Sequence, residues 1–192
     1  MELLSPKFGG PAHPALRRDA DRSRYDAGMT PAKSPPAPES RPFEPEFVAG
    51  LRRMFEQSIP FNRLLGIEVT ELRGERVQCR IAMRPELIGH YTHQRLHGGV
   101  ISATLDAAGG LAVMAAIGAR HMDELPEQRL GRFLKLGTID LRIDYLRPGL
   151  GAHFVASAEV LRLGSRVATT RMEFRALGGA LLAIGSAAYI VS

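Results

Sequence analysis

The feature that most constrains the 192-residue sequence is a run of 22 residues, 98–119, whose only charged side chain is Asp106. Its length would suit a membrane span. However, seven alanines and five glycines make the run weakly hydrophobic. A carboxylate in the middle of a span also costs roughly 2.5–3.5 kcal/mol on insertion scales. We therefore predict one long helix that is buried inside a protein, where small residues let neighbouring backbones approach closely.

Alternating apolar and polar residues, and the tight turn signals Gly164-Ser165 and Gly178-Gly179, predict strands on both sides of this helix. The predicted strands cover 67–72, 75–83, 138–147, 154–163, 166–175 and 180–191. Short links make consecutive strands antiparallel, so we expect the last four to form a meander. Because one sheet face must be buried and only one long apolar helix is available, the sheet should curl around it. The predicted fold class is α+β, with about six antiparallel strands wrapped around one long central helix.

Two further segments flank this unit. Residues 1–44 contain eight prolines and no valine or isoleucine, so we predict a disordered, Pro/Ala/Arg-rich N-terminal extension. Residues 45–192 are the predicted folded domain. It should begin with an amphipathic helix over 46–58 and include a surface loop at 120–132.

Charge and cysteine content narrow the classes of function. The net charge is +5, of which residues 1–44 contribute 7 − 6 = +1 and residues 45–192 contribute 18 − 14 = +4. This surplus permits a phosphate-bearing ligand, whereas a nucleic-acid partner is disfavoured because there is no tryptophan and no basic stripe. The single cysteine, Cys79, excludes an internal disulfide. No apolar run typical of a signal peptide occurs in the first thirty residues, so the expected location is the cytoplasm.

The strongest chemical signal lies where the long helix begins, at His97-Gly98-Gly99. Uncovered backbone N–H groups at a helix start favour an anion or a developing oxyanion. Asp106, two turns further on, is a carboxylate on an otherwise uncharged helix, which favours a role as a base or nucleophile. Gly98 and Asp106 lie roughly 12 Å apart along one helix. Since an oxyanion donor and a base must act at one centre, we predict a homodimer whose antiparallel helices bring the two together across its interface.

These residues resemble a known family. His97-Gly98-Gly99, Asp106 and the strand from Thr138 to Pro148 are similar to the hotdog-fold acyl-CoA thioesterases of the phenylacetate-pathway (PaaI) type, particularly their YigI-like branch. The resemblance implies hydrolysis of an acyl-CoA without a cofactor. It also implies that Gly98, with Gly99, polarises the thioester carbonyl, that Asp106 activates water or attacks directly, and that Thr138 helps to place the water.

Other polar residues are candidates for supporting roles. Many relatives have an asparagine where this chain has Tyr91, so Tyr91 and the neighbouring His93 are candidate substrate-binding residues. His97 is expected to hold the loop onto the helix start. No metal site is expected, because no carboxylate lies among the loop histidines.

Two arginines at strand ends, Arg147 and Arg166, are candidate contacts for the phosphates of coenzyme A. Solvated strand-end charges are the alternative interpretation of both. The charged outer side of the sheet leaves a homotetramer open beside the dimer.

Two other functions remain open at this point. The first is a hotdog hydratase or dehydratase, in which His97 or His93 would act on the acyl chain. The second is an acyl-CoA-binding sensor without turnover, although a sensor needs no carboxylate on its central helix.

Overall fold

The computed structural model describes residues 42–74 and 76–192. The predicted disordered extension over 1–44 lies almost wholly outside these residues. The described chain begins with helix α1 (Pro45–Arg52), which continues into a π-helical turn (Arg53–Ser58) and is followed by α2 (Pro60–Leu65). The predicted helix over 46–58 is thus confirmed in position, whereas α2 was not predicted. Proline begins both α-helices, where its missing N–H has no helical partner to lose.

The sheet contains the six predicted strands. The strands in chain order are β1 (Glu68–Leu72), β2 (Arg76–Ala82), the short pair β3 (Ile88–His90) and β4 (Arg95–Leu96), β5 (Gly137–Tyr145), β6 (His153–Leu163), β7 (Val167–Ala176) and β8 (Leu181–Ile190). The main sheet has the order β1-β2-β6-β7-β8-β5, and every neighbouring pair is antiparallel. The short hairpin β3–β4, which follows β2 in the chain, was not predicted.

The long apolar segment forms helix α3 (Gly98–Arg120). Among the described residues it is the one helix long and apolar enough to cross a bilayer, but 72% of its apolar window is buried inside the protein. Leu105, Leu111 and Met114 are fully buried with the side chains of the sheet. The predicted central helix, with the sheet around it, is therefore confirmed.

The prediction of a loop at 120–132 is wrong in its second half. Helix α4 (Pro126–Gly131) and a 3₁₀ turn (Arg132–Lys135) occupy this region. A local hydrogen bond begins α4, in which the Leu125 N–H donates to the Gln128 side chain over 3.1 Å. Such a short helix has no repeating apolar stripe, so its periodicity could not reveal it.

The predicted meander is also wrong for its first strand. β6, β7 and β8 are consecutive neighbours, but β5 pairs with β8 at the sheet edge and not with β6. The connection of residues 146–152 spans up to about 23 Å when extended. That length exceeds the three strand spacings of about 4.8 Å between β5 and β6, so the chain can cross the end of the sheet and begin β6 between β2 and β7.

A buried arginine fixes α1 and α4 against the end of α3. The guanidinium of Arg129 donates to Glu44 over 2.6 Å and to the Gly118 carbonyl over 3.3 Å, and it stacks 4.4 Å from the ring centre of Phe47. Removing a partner from a buried charge is strongly destabilising. These contacts hold α1 and α4 in place, and the two helices lead directly into the π-helical turn and the 3₁₀ turn that wall the cleft described next.

Candidate active site

The Asp106 carboxylate is held from the sheet side by two hydroxyl groups. Thr138 Oγ1 donates to Asp106 Oδ1 over 2.9 Å. The Tyr189 phenol lies 3.3 Å from the same oxygen and 3.0 Å from the backbone carbonyl oxygen of Asp106. Among the described residues none donates a hydrogen bond to Oδ2. One carboxylate oxygen is therefore anchored and the other is available for chemistry.

A β-bulge places Thr138 in reach of Asp106. The pairing of β5 with β8 shifts register between Thr138 and Asp140. As a result Thr138 lies opposite Tyr189 and Leu141 lies opposite Ala187, although the two β5 residues are three apart in sequence. Bulges of this kind re-aim a side chain, and here Thr138 joins the face that packs on α3.

A cleft of about 270 Å³ opens beside Asp106. Its floor is the α3 stripe Ala103, Asp106, Ala107 and Gly110, which share one helix face at three- and four-residue spacing. Its walls come from the π-helical turn, α2, the 3₁₀ turn, β5, β8 and the residues that adjoin them, through Phe55, Ile59, Phe61, Asn62, Phe133, Leu136, Gly137, Thr138 and Tyr189. The cleft is thus mostly apolar, with one carboxylate on its floor, which is typical of a small-molecule site.

The start of α3 has one free amide. His97 Nδ1 accepts a hydrogen bond from the Gly99 N–H over 2.8 Å, so the predicted role of His97 at the helix start agrees with the geometry. Among the described residues none accepts from the Gly98 N–H. The Gly98 carbonyl accepts from the Tyr145 hydroxyl over 2.9 Å. Gly98 rather than Gly99 therefore presents the unused donor.

One chain does not bring the free amide and the carboxylate together. Gly98 contacts Tyr145 at one end of β5, whereas Asp106 contacts Thr138 near the other end. Six residues of β5, 139–144, lie between these two contact residues. The geometry matches the spacing that led to the prediction of a two-chain site.

The β3–β4 hairpin holds the candidate residues Tyr91 and His93. Tyr91 is 82% exposed, and its ring lies 6.3 Å from that of His90. The His90 and His93 rings lie 4.6 Å apart. Within 42–74 and 76–192 no three His, Cys, Asp or Glu side chains are grouped to hold a metal ion. No contact in one chain brings Tyr91 or His93 to Asp106.

The two candidate arginines lie at opposite ends of the sheet. Arg147 donates to the Leu181 carbonyl over 2.9 Å, where β8 begins. The Arg166 backbone carbonyl accepts from the Val191 N–H, just after β8 ends. Because the ten residues of β8 separate them, the two guanidinium groups cannot contact the same phosphate within one chain.

Burial controls the protonation of two other groups. Burial, and next the charge of Glu56, raises the pKa of the Cys79 thiol to about 12. The thiol therefore stays protonated near neutral pH, as expected for a core residue and not a nucleophile. Burial, and next the charge of Asp106, raises the pKa of Tyr189 far above its usual range, so this phenol remains a donor.

The sequence did not identify Tyr145 and Tyr189 as site residues. Tyr189 is the single aromatic residue of an apolar strand, where an interpretation as core is the natural one. Tyr145 is the single aromatic residue of β5 and continues the apolar side of its alternation. The missed signal was the phenol hydroxyl, because a tyrosine packed in a protein usually finds a hydrogen-bond partner for it.

The fold and the site together define a hotdog protein with a carboxylate-bearing cleft on its central helix. Residues 93–183 match the family described as the Thioesterase superfamily. The chain is 38% identical over 138 residues to the medium/long-chain acyl-CoA thioesterase YigI of Escherichia coli K12, covering 72% of this chain and 89% of that protein. The chain belongs to the thioesterase superfamily.

Solved structures agree with this assignment. A protein from Shewanella oneidensis related to the thioesterase superfamily is 39% identical with a TM-score of 0.72, covering 78% of this chain and 100% of that one. Zebra fish thioesterase superfamily member 2, at 20% identity, a TM-score of 0.60 and coverage of 76% and 96%, shares the fold. The predicted family, fold and enzyme class, a thioester hydrolase, are confirmed.

Proposed function

We propose that this protein hydrolyses an acyl-CoA to the free carboxylic acid and coenzyme A, with Asp106 as the catalytic carboxylate. The observation that carries the proposal is the anchored Asp106: Thr138 and Tyr189 contact Oδ1, and the residue lies on the floor of an apolar cleft. A thioester suits a site with one free carboxylate, because its thiolate leaves readily once water or a carboxylate has attacked the carbonyl.

In the proposed reaction, Oδ2 of Asp106 takes a proton from water as the water oxygen attacks the thioester carbon. The negative charge on the carbonyl oxygen is stabilised by the Gly98 amide. The intermediate then expels coenzyme A as a thiolate, which takes up a proton. Direct attack by Asp106 through a mixed anhydride is the alternative. Single turnover in ¹⁸O-labelled water detects the anhydride when water opens it at the Asp106 carbonyl, since the first product then carries an unlabelled oxygen from Asp106.

The proposed active unit is a homodimer with one site at each end of its interface. β5 is an edge strand, and its side chains Ile139 and Tyr145 are 59% and 53% exposed. Two-fold symmetry about Ser102 would place Gly98 of one protomer beside Asp106 of its partner, because Ser102 is midway between them. In the same arrangement, Arg147 of one protomer and Arg166 of the other would contact the phosphates of one ligand. Tyr91 and His93 would line the site that holds this ligand. Pairing of two dimers through the outer sheet faces gives the tetramer, which light scattering would reveal.

The proposed substrate carries an apolar acyl chain that enters the cleft beside Asp106. The aromatic and aliphatic walls favour a hydrocarbon over a polar acyl group. The E. coli relative is named for medium and long chains, and we extend that class to this protein. The cytoplasm stays its predicted location.

The test is thiol release from acyl-CoAs of graded length by Asp106→Ala. We expect the variant to fold and dimerise yet lose at least about 10²-fold in steady-state turnover, the scale for losing a catalytic base. The matched control is Asp123→Ala, which removes an exposed carboxylate just after α3 and should keep normal turnover. Near-normal hydrolysis by Asp106→Ala would remove the role proposed for this residue.

The same assay separates the two rival functions. A hydratase would convert an enoyl-CoA to a 3-hydroxyacyl-CoA without releasing thiol. A sensor would bind acyl-CoA stoichiometrically and release nothing.

A further inference from the structure

Tyr189 is a buried phenol whose hydroxyl contacts Asp106. Its side chain is 1% exposed, and its oxygen lies 3.0 Å from the Asp106 backbone carbonyl and 3.3 Å from Oδ1. A phenylalanine would fill the same core volume without adding a polar atom that must be satisfied. The hydroxyl therefore calls for an explanation beyond packing.

The fold leaves room for this hydroxyl at one position of α3. A Cβ atom on Gly109 would lie 2.2 Å from the Tyr189 oxygen and 2.9 Å from Met172 Sδ. Any larger residue at Gly109 would therefore push the phenol away from Asp106. Glycine within a helix costs about 0.5–1 kcal/mol relative to alanine, so the close approach comes at a cost in helix stability.

Tyr189 also forms a cross-strand pair with the other donor. Thr138 on β5 lies directly opposite Tyr189 on β8, and both face α3. Their hydroxyls reach the same carboxylate oxygen from adjacent strands. Because burial and the charge of Asp106 raise the pKa of the phenol far above its usual range, it keeps its proton.

We propose that Tyr189 is a positioning residue that, with Thr138, holds the Asp106 carboxylate so that Oδ1 faces the sheet and Oδ2 faces the cleft. The inference rests on the proposed function. Without the phenol, the carboxylate could rotate about its Cβ–Cγ bond, and Thr138 alone would orient it. The loss should then affect the chemical step and not the binding of substrate.

The test is Tyr189→Phe, which keeps the ring and deletes the hydroxyl. We expect kcat to fall about tenfold, the scale of one hydrogen bond to a charged group, with KM changed less than about twofold. The matched control is Thr169→Val on the neighbouring strand. Thr169 alternates with the buried Ala168 and Thr170 and so faces away from α3, and its variant should keep the wild-type kcat.

A double-mutant cycle shows whether Tyr189 acts through Asp106. If it does, adding Tyr189→Phe to Asp106→Ala should cause no further loss, because the group being positioned is gone. A second variant, Gly109→Ala, keeps the phenol but displaces it and should reproduce the loss in kcat. Melting temperatures establish that each variant is folded at the assay temperature.

Two outcomes would overturn the inference while leaving the proposed function intact. One is a Tyr189→Phe enzyme with kcat within twofold of the wild type. The other is the same tenfold loss in the Asp106→Ala background, which would mean a structural role independent of the carboxylate. A wild-type protein that releases no thiol from any acyl-CoA would instead overturn the proposed function.

Discussion

Gly98 and Gly99 are adjacent in sequence, but their amides are not chemically equivalent. The Gly99 N–H is engaged by the His97 ring, whereas the Gly98 N–H has no acceptor among the described residues. A side chain on Gly99 would also place its Cβ 2.9 Å from His97 Nδ1 and disturb this cap. The two glycines therefore have different roles. Gly99 leaves room for the His97 side chain to cap the helix, and the Gly98 N–H is available as a hydrogen-bond donor to a ligand.

The oxyanion role of Gly98 can be tested by removing its N–H alone. Gly98→Pro does so at the first helical position, where proline is tolerated. The preceding His97 already has extended backbone angles, φ −66° and ψ 135°, as a residue before proline requires. We expect kcat to fall about 10²–10³-fold, as for the loss of one oxyanion donor.

The control is Gly98→Ala, which keeps the N–H. Its Cβ would lie 3.5 Å from the Tyr145 ring, which is an ordinary van der Waals contact. If both variants lose activity equally, the amide is not the donor.

At the scale of elements, the sequence predicted the central helix from its long uncharged run. It predicted all six strands of the sheet from alternating residues and from the tight turns between them. It could not predict where β5 lies, since a strand's sheet neighbours depend on contacts far along the chain. The β-bulge near Thr138 could not be predicted from the sequence either. Strict alternation puts Thr138 on the opposite face from Leu141, and only the pairing with β8 shows that both face α3. Asp106 and Gly98 were identified from local sequence, whereas Tyr189 needed the tertiary contact.

Gly110, on the face of α3 that forms the cleft floor, can be replaced by a larger residue to test where the acyl chain lies. A Cβ on Gly110 would meet Leu136, Tyr189 and Phe55 at 3.6–4.0 Å, which is ordinary contact across the cleft. Gly110→Leu would thus fill the space beside Asp106 without a backbone clash. We expect kcat/KM for long-chain acyl-CoAs to fall at least about tenfold, since each misplaced methylene costs about 1–3 kcal/mol. Short-chain substrates should be hydrolysed almost as before.

The control for this change is Gly178→Leu in the exposed β7–β8 hairpin, where an added Cβ has nothing within 4 Å. It should leave the chain-length profile unchanged. A uniform loss across all chain lengths in Gly110→Leu would mean that the acyl chain does not lie along this face.

At the scale of the whole molecule, β5 links the two halves of the proposed site. Its Tyr145 contacts Gly98, its Thr138 contacts Asp106, and its outer edge is unpaired in the described sheet. An antiparallel partner strand would repeat this arrangement in reverse, so that the Tyr145 end of one protomer meets the Thr138 end of its partner. A monomer would contain the Gly98 amide and the Asp106 carboxylate, but the two would lie too far apart to act on one substrate.

Subunit complementation tests this arrangement directly. Mixing the Asp106→Ala and Gly98→Pro proteins after reversible dissociation should yield heterodimers with one doubly altered site and one intact site. Each parent has residual activity only, whereas each heterodimer should recover about half of the wild-type kcat, because sites in a two-fold dimer come in pairs. The control is a mixture of Asp106→Ala with a chain that carries both substitutions, which has no intact site and should recover nothing. If the heterodimer stays as inactive as its parents, Gly98 and Asp106 do not act across the interface.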